Sequence, residues 1–291
     1  MRMNHINRIK GNVTIYASKK TRNLLDGNYK SIFKGKSLNF DDLREYVIGD
    51  NVKDIDWKAS ARSDNILVKQ YVAERKHNIL FLVDSTVNMQ AFTETKELKS
   101  EVALYIAGTI ATLANSSGDF FAFIYGKGND IRYFPFKEQL SNIELALTSY
   151  ENDMEKENTM SINDLLEYVI NFINKRMIIF IITDLSGISS INVDYIKTLS
   201  YQNDILIFNV SDTLLSGDKV YSIDNKSYVS KLLLNDKKII DEEIKERNKI
   251  YQNCENELIK YMVQMITINS YDEIVPKSIE LLERHRHAGH N

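Results

Sequence analysis

Three short apolar runs constrain the fold of this chain more than any other feature. They are Ile79 to Val83 (ILFLV), Met177 to Ile182 (MIIFII) and Ile205 to Val210 (ILIFNV). A run that is apolar on consecutive positions has no face to offer water, so each reads as a strand buried on both sides. Segments with apolar residues at helical spacing lie between them. The first is Lys96 to Ala114, with Leu98, Val102, Tyr105, Ile106, Ile110 and Leu113 on its apolar positions. Ile162 to Ile173, Val193 to Leu199, a long stretch of about Lys237 to Val263, and Ile274 to Glu283 follow. Buried strands alternating with helices predict a doubly wound α/β fold, a mostly parallel Rossmann-type sheet with helices on both faces.

Two further strands, Phe120 to Tyr125 and Ile131 to Phe136, read as a hairpin turning through GKGND. Met265 to Asn269 reads as a last strand. In the long helix, Ile244, Tyr251 and Leu258 recur every seven residues and predict a face packed on the sheet. With 291 residues the chain holds one or two domains. Its texture changes near His77, from charges interleaved with aromatics to apolar runs alternating with helical patterns. The expected division is an N-terminal extension, 1–77, packed against a main domain, 78–291.

The formal net charge of -3 argues against a general nucleic-acid binder, which needs a positive field. The single cysteine, Cys254, cannot form an intrachain disulfide and reads as helix packing. No apolar run approaches the roughly 18 residues of a membrane span. The start, MRMNHINRIKG, lacks the apolar core of a signal peptide. The expectation is a cytoplasmic protein that meets membranes only through partners. His285, His287 and His290 read as a frayed, solvated tail, with a metal-binding tail as the alternative, while His5 and His77 stand alone.

The first buried run ends in Asp84-Ser85-Thr86-Val87-Asn88. In doubly wound sheets, ligands bind at the carboxyl ends of strands, near the point where strand order reverses. Asp84 and Asp184 both fall at such ends. Asp84, Thr86 and Asn88 alternate, so their oxygens can point at one spot, with Thr159 and Asp184 supplying two more from later loops. Oxygen ligands of this kind suit Mg²⁺. The alternative is structural: Asp84 caps the next turn, and Thr86 and Asn88 satisfy loop backbone groups.

This arrangement resembles the metal-ion-dependent adhesion site of von Willebrand factor A domains, in which a strand ends in Asp-x-Ser-x-Ser and later loops add a Thr and an Asp. Thr86 keeps the hydroxyl of that pattern. Asn88 replaces a serine with a longer, neutral carbonyl donor. The resemblance implies Mg²⁺ completed by a partner's carboxylate.

A second motif precedes the strand: FDDLREYVIGDNVKDIDWKASARSDNILVKQY. Gly49-Asp50 reads as a turn, Asp54 or Asp56 as the cap of a short helix carrying Trp57, and Asn65 to Tyr71 as a strand. Arg44, Lys58 and Arg62 can pair with Asp50, Asp54 and Asp56. These residues form either a solvated ion-pair surface or a docking surface anchored by Trp and Arg. The string resembles the signature of the "domain of unknown function 58" family through Arg44, Glu45, Tyr46, Gly49, Asp50, Asp54, Ile55, Asp56, Trp57, Lys58, Ala59, Ala61 and Arg62, with Lys53 where the family has Arg. The resemblance runs from Arg22 to Arg284. It implies a non-enzymatic adaptor working with a MoxR-type AAA+ ATPase, its client protein, or both.

An enzymatic alternative is a haloacid-dehalogenase-type phosphotransferase with Asp84 as nucleophile beside Mg²⁺. That chemistry needs a later Gly-Asp-x-x-x-Asp, whereas the sole match, Gly49 to Asp54, lies before the strand. Gly35-Lys36-Ser37 is half a phosphate-binding loop: the position five residues before Gly35, where the motif needs glycine, is Lys30.

Overall fold

The computed structural model describes residues 5–16, 42–50, 52, 55–63, 65–70, 76–115, 118–154, 158–213, 221–222, 227–228 and 236–288. The N-terminal part contributes α1 (His5–Tyr16), β1 (Asp42–Glu45), α2 (Trp57–Ser60) and β2 (Leu67–Gln70). The main sheet begins with β3 (Asn78–Val83) and continues through α3 (Lys99–Asn115), β4 (Phe120–Lys127), β5 (Asp130–Lys137), α4 (Leu140–Asp153), α5 (Ile162–Phe172) and β6 (Ile178–Thr183). Then come α6 (Leu185–Ser190), α7 (Val193–Ser200), β7 (Asp204–Val210), a two-residue ribbon of β8 (Tyr221–Ser222) and β9 (Ser227–Tyr228), α8 (Lys237–Leu258), β10 (Gln264–Ile268) and α9 (Ile274–Ala288).

The three apolar runs become the adjacent parallel strands β3, β6 and β7 of a six-stranded sheet, in the order β10-β7-β6-β3-β4-β5. Their alternate residues build two separate cores, as the twofold period of a strand requires. Phe81, Val83, Phe180, Ile182 and Phe208 face one core with α1, α3, α4 and α9. Leu80, Leu82, Ile179, Ile181 and Ile207 face the other with α5, α6 and α7. Each such fully buried side chain contributes about 1.5–3 kcal/mol relative to exposure.

Strand order reverses at β3. From it the chain moves outward to β4 and β5, then returns to β6 on the other side and continues to β7 and β10. The crevice at the carboxyl ends of β3 and β6 is therefore the switch point, where Asp84 and Asp184 stand.

The hairpin is longer than the sequence suggested, with strands reaching the turn at Gly128 and Asn129; Gly128 adopts a positive φ of 61°. β5 is the antiparallel edge, and its pairing with β4 slips between Phe121 and Phe123. Pro135 lies in the extra residues of that bulge, where a missing backbone N–H costs no ladder bond.

Three helices lie outside the sequence-based reading. α4 and α6 were absent from it, and so was α1, whose polar composition hides its role. Ile6 and Ile9 are buried in the first core. Ile9 Cδ1 lies 2.2 Å from where a Cβ on Gly108 would stand, so α1 and α3 touch through the missing side chain of Gly108. The first amides of α1, at His5 and Ile6, donate to Glu144 Oε1 and Oε2 of α4, each at 2.7 Å. A side chain from another helix thus satisfies donors that a helix start leaves unpaired.

Two expectations are corrected. The long helix ends at Leu258 rather than Val263, because a 3-10 turn follows and Met262 turns left-handed at φ 62°. Leu258 is its buried residue; Tyr251 and Cys254 pack against the second core only partly, and Ile244 is half-buried. The C-terminal histidines are not a frayed tail as far as residue 288: α9 continues there, and His285 Nε2 meets Asp204 Oδ1 at 3.3 Å. His290 lies outside the described residues.

Candidate functional site

At the crest of the sheet a layer of polar residues replaces the apolar core. Thr183, Asn209 and Thr267 are register neighbours on β6, β7 and β10, and Asp84 follows β3 directly. Alternation puts all four on the face of the second core. Thr183 Oγ1 donates to Asp84 Oδ2 at 2.5 Å, and Asn209 Nδ2 donates to Thr267 Oγ1 at 3.0 Å.

Asp84 is 2% exposed. Its Oδ1 accepts the Thr86 amide at 2.8 Å, and its own carbonyl accepts the Tyr150 hydroxyl at 2.5 Å. Burial raises its carboxyl above the ordinary 3.8, opposed by the bonds from Thr183 and Thr86. Burial likewise pushes the Tyr150 hydroxyl well above its ordinary value. The adjoining Ser85 hydroxyl donates to the Gly126 carbonyl at 2.8 Å and accepts from Asn158 Nδ2 at 2.9 Å.

Asp184 caps α6, with Oδ1 accepting the Gly187 amide at 2.8 Å. A Cβ at Gly187 would stand 2.0 Å from Thr183 Oγ1 and 3.0 Å from Asp84 Oδ2. Glycine is therefore what lets α6 settle onto the Asp84–Thr183 pair.

A cation already stands in the crevice. Lys99, at the start of α3, is fully buried. Its Nζ donates to Asp184 Oδ2 at 2.6 Å and to Asp212 Oδ1 in the loop after β7. That loop is held from α8, where Arg247 donates to the carbonyls of Asp212 and Thr213 at 3.2 and 3.0 Å.

The structure brings Asp84, Thr86 and Asp184 to one crevice and leaves the other predicted ligands apart. Asn88 lies half-buried in a 3-10 turn, Val87–Gln90, and its side chain makes no hydrogen bond among the described residues. The Thr159 hydroxyl donates to the hairpin turn, reaching Gly128 O at 3.2 Å and Asn129 Oδ1 at 2.8 Å. The residues so arranged do not fit a divalent ion. Mg²⁺ needs near-octahedral oxygens at about 2.0–2.1 Å, yet Asp184 is shared with a buried ammonium whose repulsion is weakly screened there. Each oxygen of the Asp84 carboxylate accepts one hydrogen bond, Oδ1 from the Thr86 amide and Oδ2 from the Thr183 hydroxyl.

Lys99, Thr183 and Asp212 escaped the sequence reading. One signal for Asp212 was available. The third buried strand, like the first two, runs into a carboxylate, in ILIFNVSD. Lys99 gave none, because a lysine opening an apolar helix ordinarily reads as solvated.

The signature segment builds its own two-stranded sheet. β1 and β2 pair antiparallel, and Tyr46 N donates to Ile66 O at 2.8 Å. Asp56 caps α2, its Oδ1 accepting the amides of Lys58 and Ala59, both at 3.0 Å. Asp50 Oδ2 accepts the Val47 amide at 2.9 Å and closes the turn at Gly49, φ 114°. Both acids thus act on backbone amides. Trp57, Lys58 and Arg62 are exposed. Asp54 and the side chain of Arg44 lie outside the described residues.

A parallel sheet with one antiparallel edge, reversing at β3 and carrying Asp84 at its switch point, defines a von Willebrand A-like α/β protein. The chain belongs to the family described as "Protein of unknown function DUF58", whose model matches residues 42–218. Among solved structures it is similar to the conserved hypothetical protein BatB from Bacteroides thetaiotaomicron, at 14% identity and TM-score 0.47 over 72% of this chain and 98% of that one. It is also similar to the SpRpn10 VWA domain, at 9% identity and TM-score 0.43 over 69% of this chain and 94% of that one. A von Willebrand factor type A protein from Catenulispora acidiphila matches at 10% identity and TM-score 0.40, over 72% of this chain and 42% of that one. No curated protein matches the sequence. Among the described residues, no helix is long and apolar enough to cross a membrane.

Proposed function

We propose that this chain is a non-enzymatic binding protein that docks through its signature unit, with a MoxR-type AAA+ ATPase, its client protein, or both as the partner. The observation that carries this reading is the run of large apolar side chains that this segment leaves exposed. Val47 (62%), Ile48 (97%), Val52 (58%), Trp57 (64%) and Ile66 (48%) all fall within twenty residues. Hydrogen bonds from Tyr46 to Ile66, and from Asp56 and Ser60 to Leu67, tie the backbone around them together. Apolar patches of this kind mark interaction sites on soluble proteins. The exposed Lys58 and Arg62 add a cationic rim, which suits a partner with an apolar face edged by acids.

The test is capture of the purified AAA+ ATPase of the same organism by wild type, Trp57→Ala and Ile48→Ser, with melting curves of each. Docking through this unit gives loss of capture at unchanged melting temperature. Undiminished capture by both variants overturns the reading.

A further inference from the structure

We infer that the ammonium of Lys99 is the built-in cation of the switch-point crevice, so that the crest of the sheet is held together without a divalent ion. The inference concerns the crest alone and stands or falls separately from docking at the signature unit. Three parallel strands deliver carboxylates to this end of the sheet: Asp84 after β3, Asp184 after β6 and Asp212 shortly after β7. Crowding such charges away from water is unfavourable unless a cation stands among them. Lys99 supplies it. Its side chain is fully buried, beside Asp184 at 2% exposure and Asp212 at 32%. The contact joins the start of α3, the cap of α6 and the loop after β7.

The position of Lys99 is fixed independently of its charge. Its amide donates to Ala91 O at 3.0 Å, and Phe92 bridges Leu98, so the backbone that launches the side chain is anchored to the loop after Asp84. That same loop reaches the third carboxylate segment, where Thr213 N donates to Phe92 O at 3.0 Å. A divalent ion bound to Asp184 would have to displace the ammonium or accept its repulsion at close range. An ammonium has no open coordination position. The crest therefore cannot capture a partner's carboxylate as a metal ligand does.

The experiment is Mn²⁺ titration by calorimetry on the full chain, with melting curves in Mg²⁺, Mn²⁺ and chelator, for wild type, Lys99→Ala and Lys99→Ser. Wild type should give no saturable heat and the same melting temperature in all three conditions. Removing Lys99 should lower the melting temperature in chelator and create a rise with Mn²⁺ that wild type lacks, as carboxylates stripped of their ammonium accept a metal. Saturable Mn²⁺ binding to wild type, lost in Asp84→Asn, overturns the inference even if the Lys99 variants do not fold. So does a destabilisation of both Lys99 variants that no divalent ion relieves, which would make Lys99 a packing residue and not a stand-in for a cation.

Discussion

Thr183 Oγ1 donates to Asp84 Oδ2 at 2.5 Å across two parallel strands that the sequence separates by 99 positions. This bond makes Asp84 a buried acceptor within the fold. Burial raises its carboxyl above 3.8. The folded chain therefore holds this proton more tightly than the unfolded chain does. The stability linked to the group is fully present below 3.8 and is lost as pH rises through the raised folded value. Asp84→Asn removes that slope, keeping an oxygen for the Thr86 amide and turning its NH₂ to the Thr183 hydroxyl. Its stability relative to wild type should rise with pH across this window, read from urea unfolding at a series of pH values. Asp84→Ala strands both donors and should cost about 1–3 kcal/mol. A flat difference between Asn and Asp across pH would show that burial does not govern this carboxyl.

Gly187→Ala should destabilise through a defined clash. The new Cβ meets Thr183 Oγ1 at 2.0 Å and Asp84 Oδ2 at 3.0 Å, and overpacking of this kind costs about 1–3 kcal/mol. In a Thr183→Ala background the nearest obstacle is gone, so the same substitution should cost less. A double-mutant cycle by chemical denaturation measures that coupling. Equal costs in both backgrounds would place the strain elsewhere.

The contact between Ile9 and Gly108 predicts a change of sign. Gly108→Ala in wild type pushes against Ile9 Cδ1, 2.2 Å from the new Cβ, and should loosen α1. In Ile9→Ala the space is open, and alanine at 108 should instead stabilise α3 by up to about 1 kcal/mol through its helix propensity. Ile9→Ala alone should cost about 2–5 kcal/mol, since Ile9 is 1% exposed. Thermal unfolding, with proteolysis of the N-terminal segment, checks both.

Within the signature unit, burial separates scaffold from surface. Val68 (3%) and Ile55 (9%) are buried and bridge one another, whereas Trp57 is 64% exposed. Val68→Ala should open the unit to protease. Trp57→Ala should change stability by no more than about 0.5 kcal/mol. A large loss of stability in Trp57→Ala would make this tryptophan part of the scaffold.

The local patterns carried much of this protein into view. Apolar runs, the third interrupted only by Asn209, are best satisfied as doubly covered strands, so β3, β6 and β7 and their parallel sheet followed from Ile79 to Val83, Met177 to Ile182 and Ile205 to Val210. The carboxyl ends of those strands then located Asp84 and Asp184, and the turn at Gly49 and the cap at Asp56 were legible from residues close in sequence. What the sequence left open depends on contacts between distant segments. The role of α1 rests on the absence of a side chain at Gly108, a hundred residues away, and helical periodicity alone does not show that. The partner of Asp84 is the hydroxyl of Thr183, and the cation beside Asp184 is the ammonium of Lys99. Both are ordinary residue types whose meaning comes from burial. A lysine's charge is solvated by default, and only packing of α3 against the ends of β6 and β7 removes the water and leaves two carboxylates as its solvent.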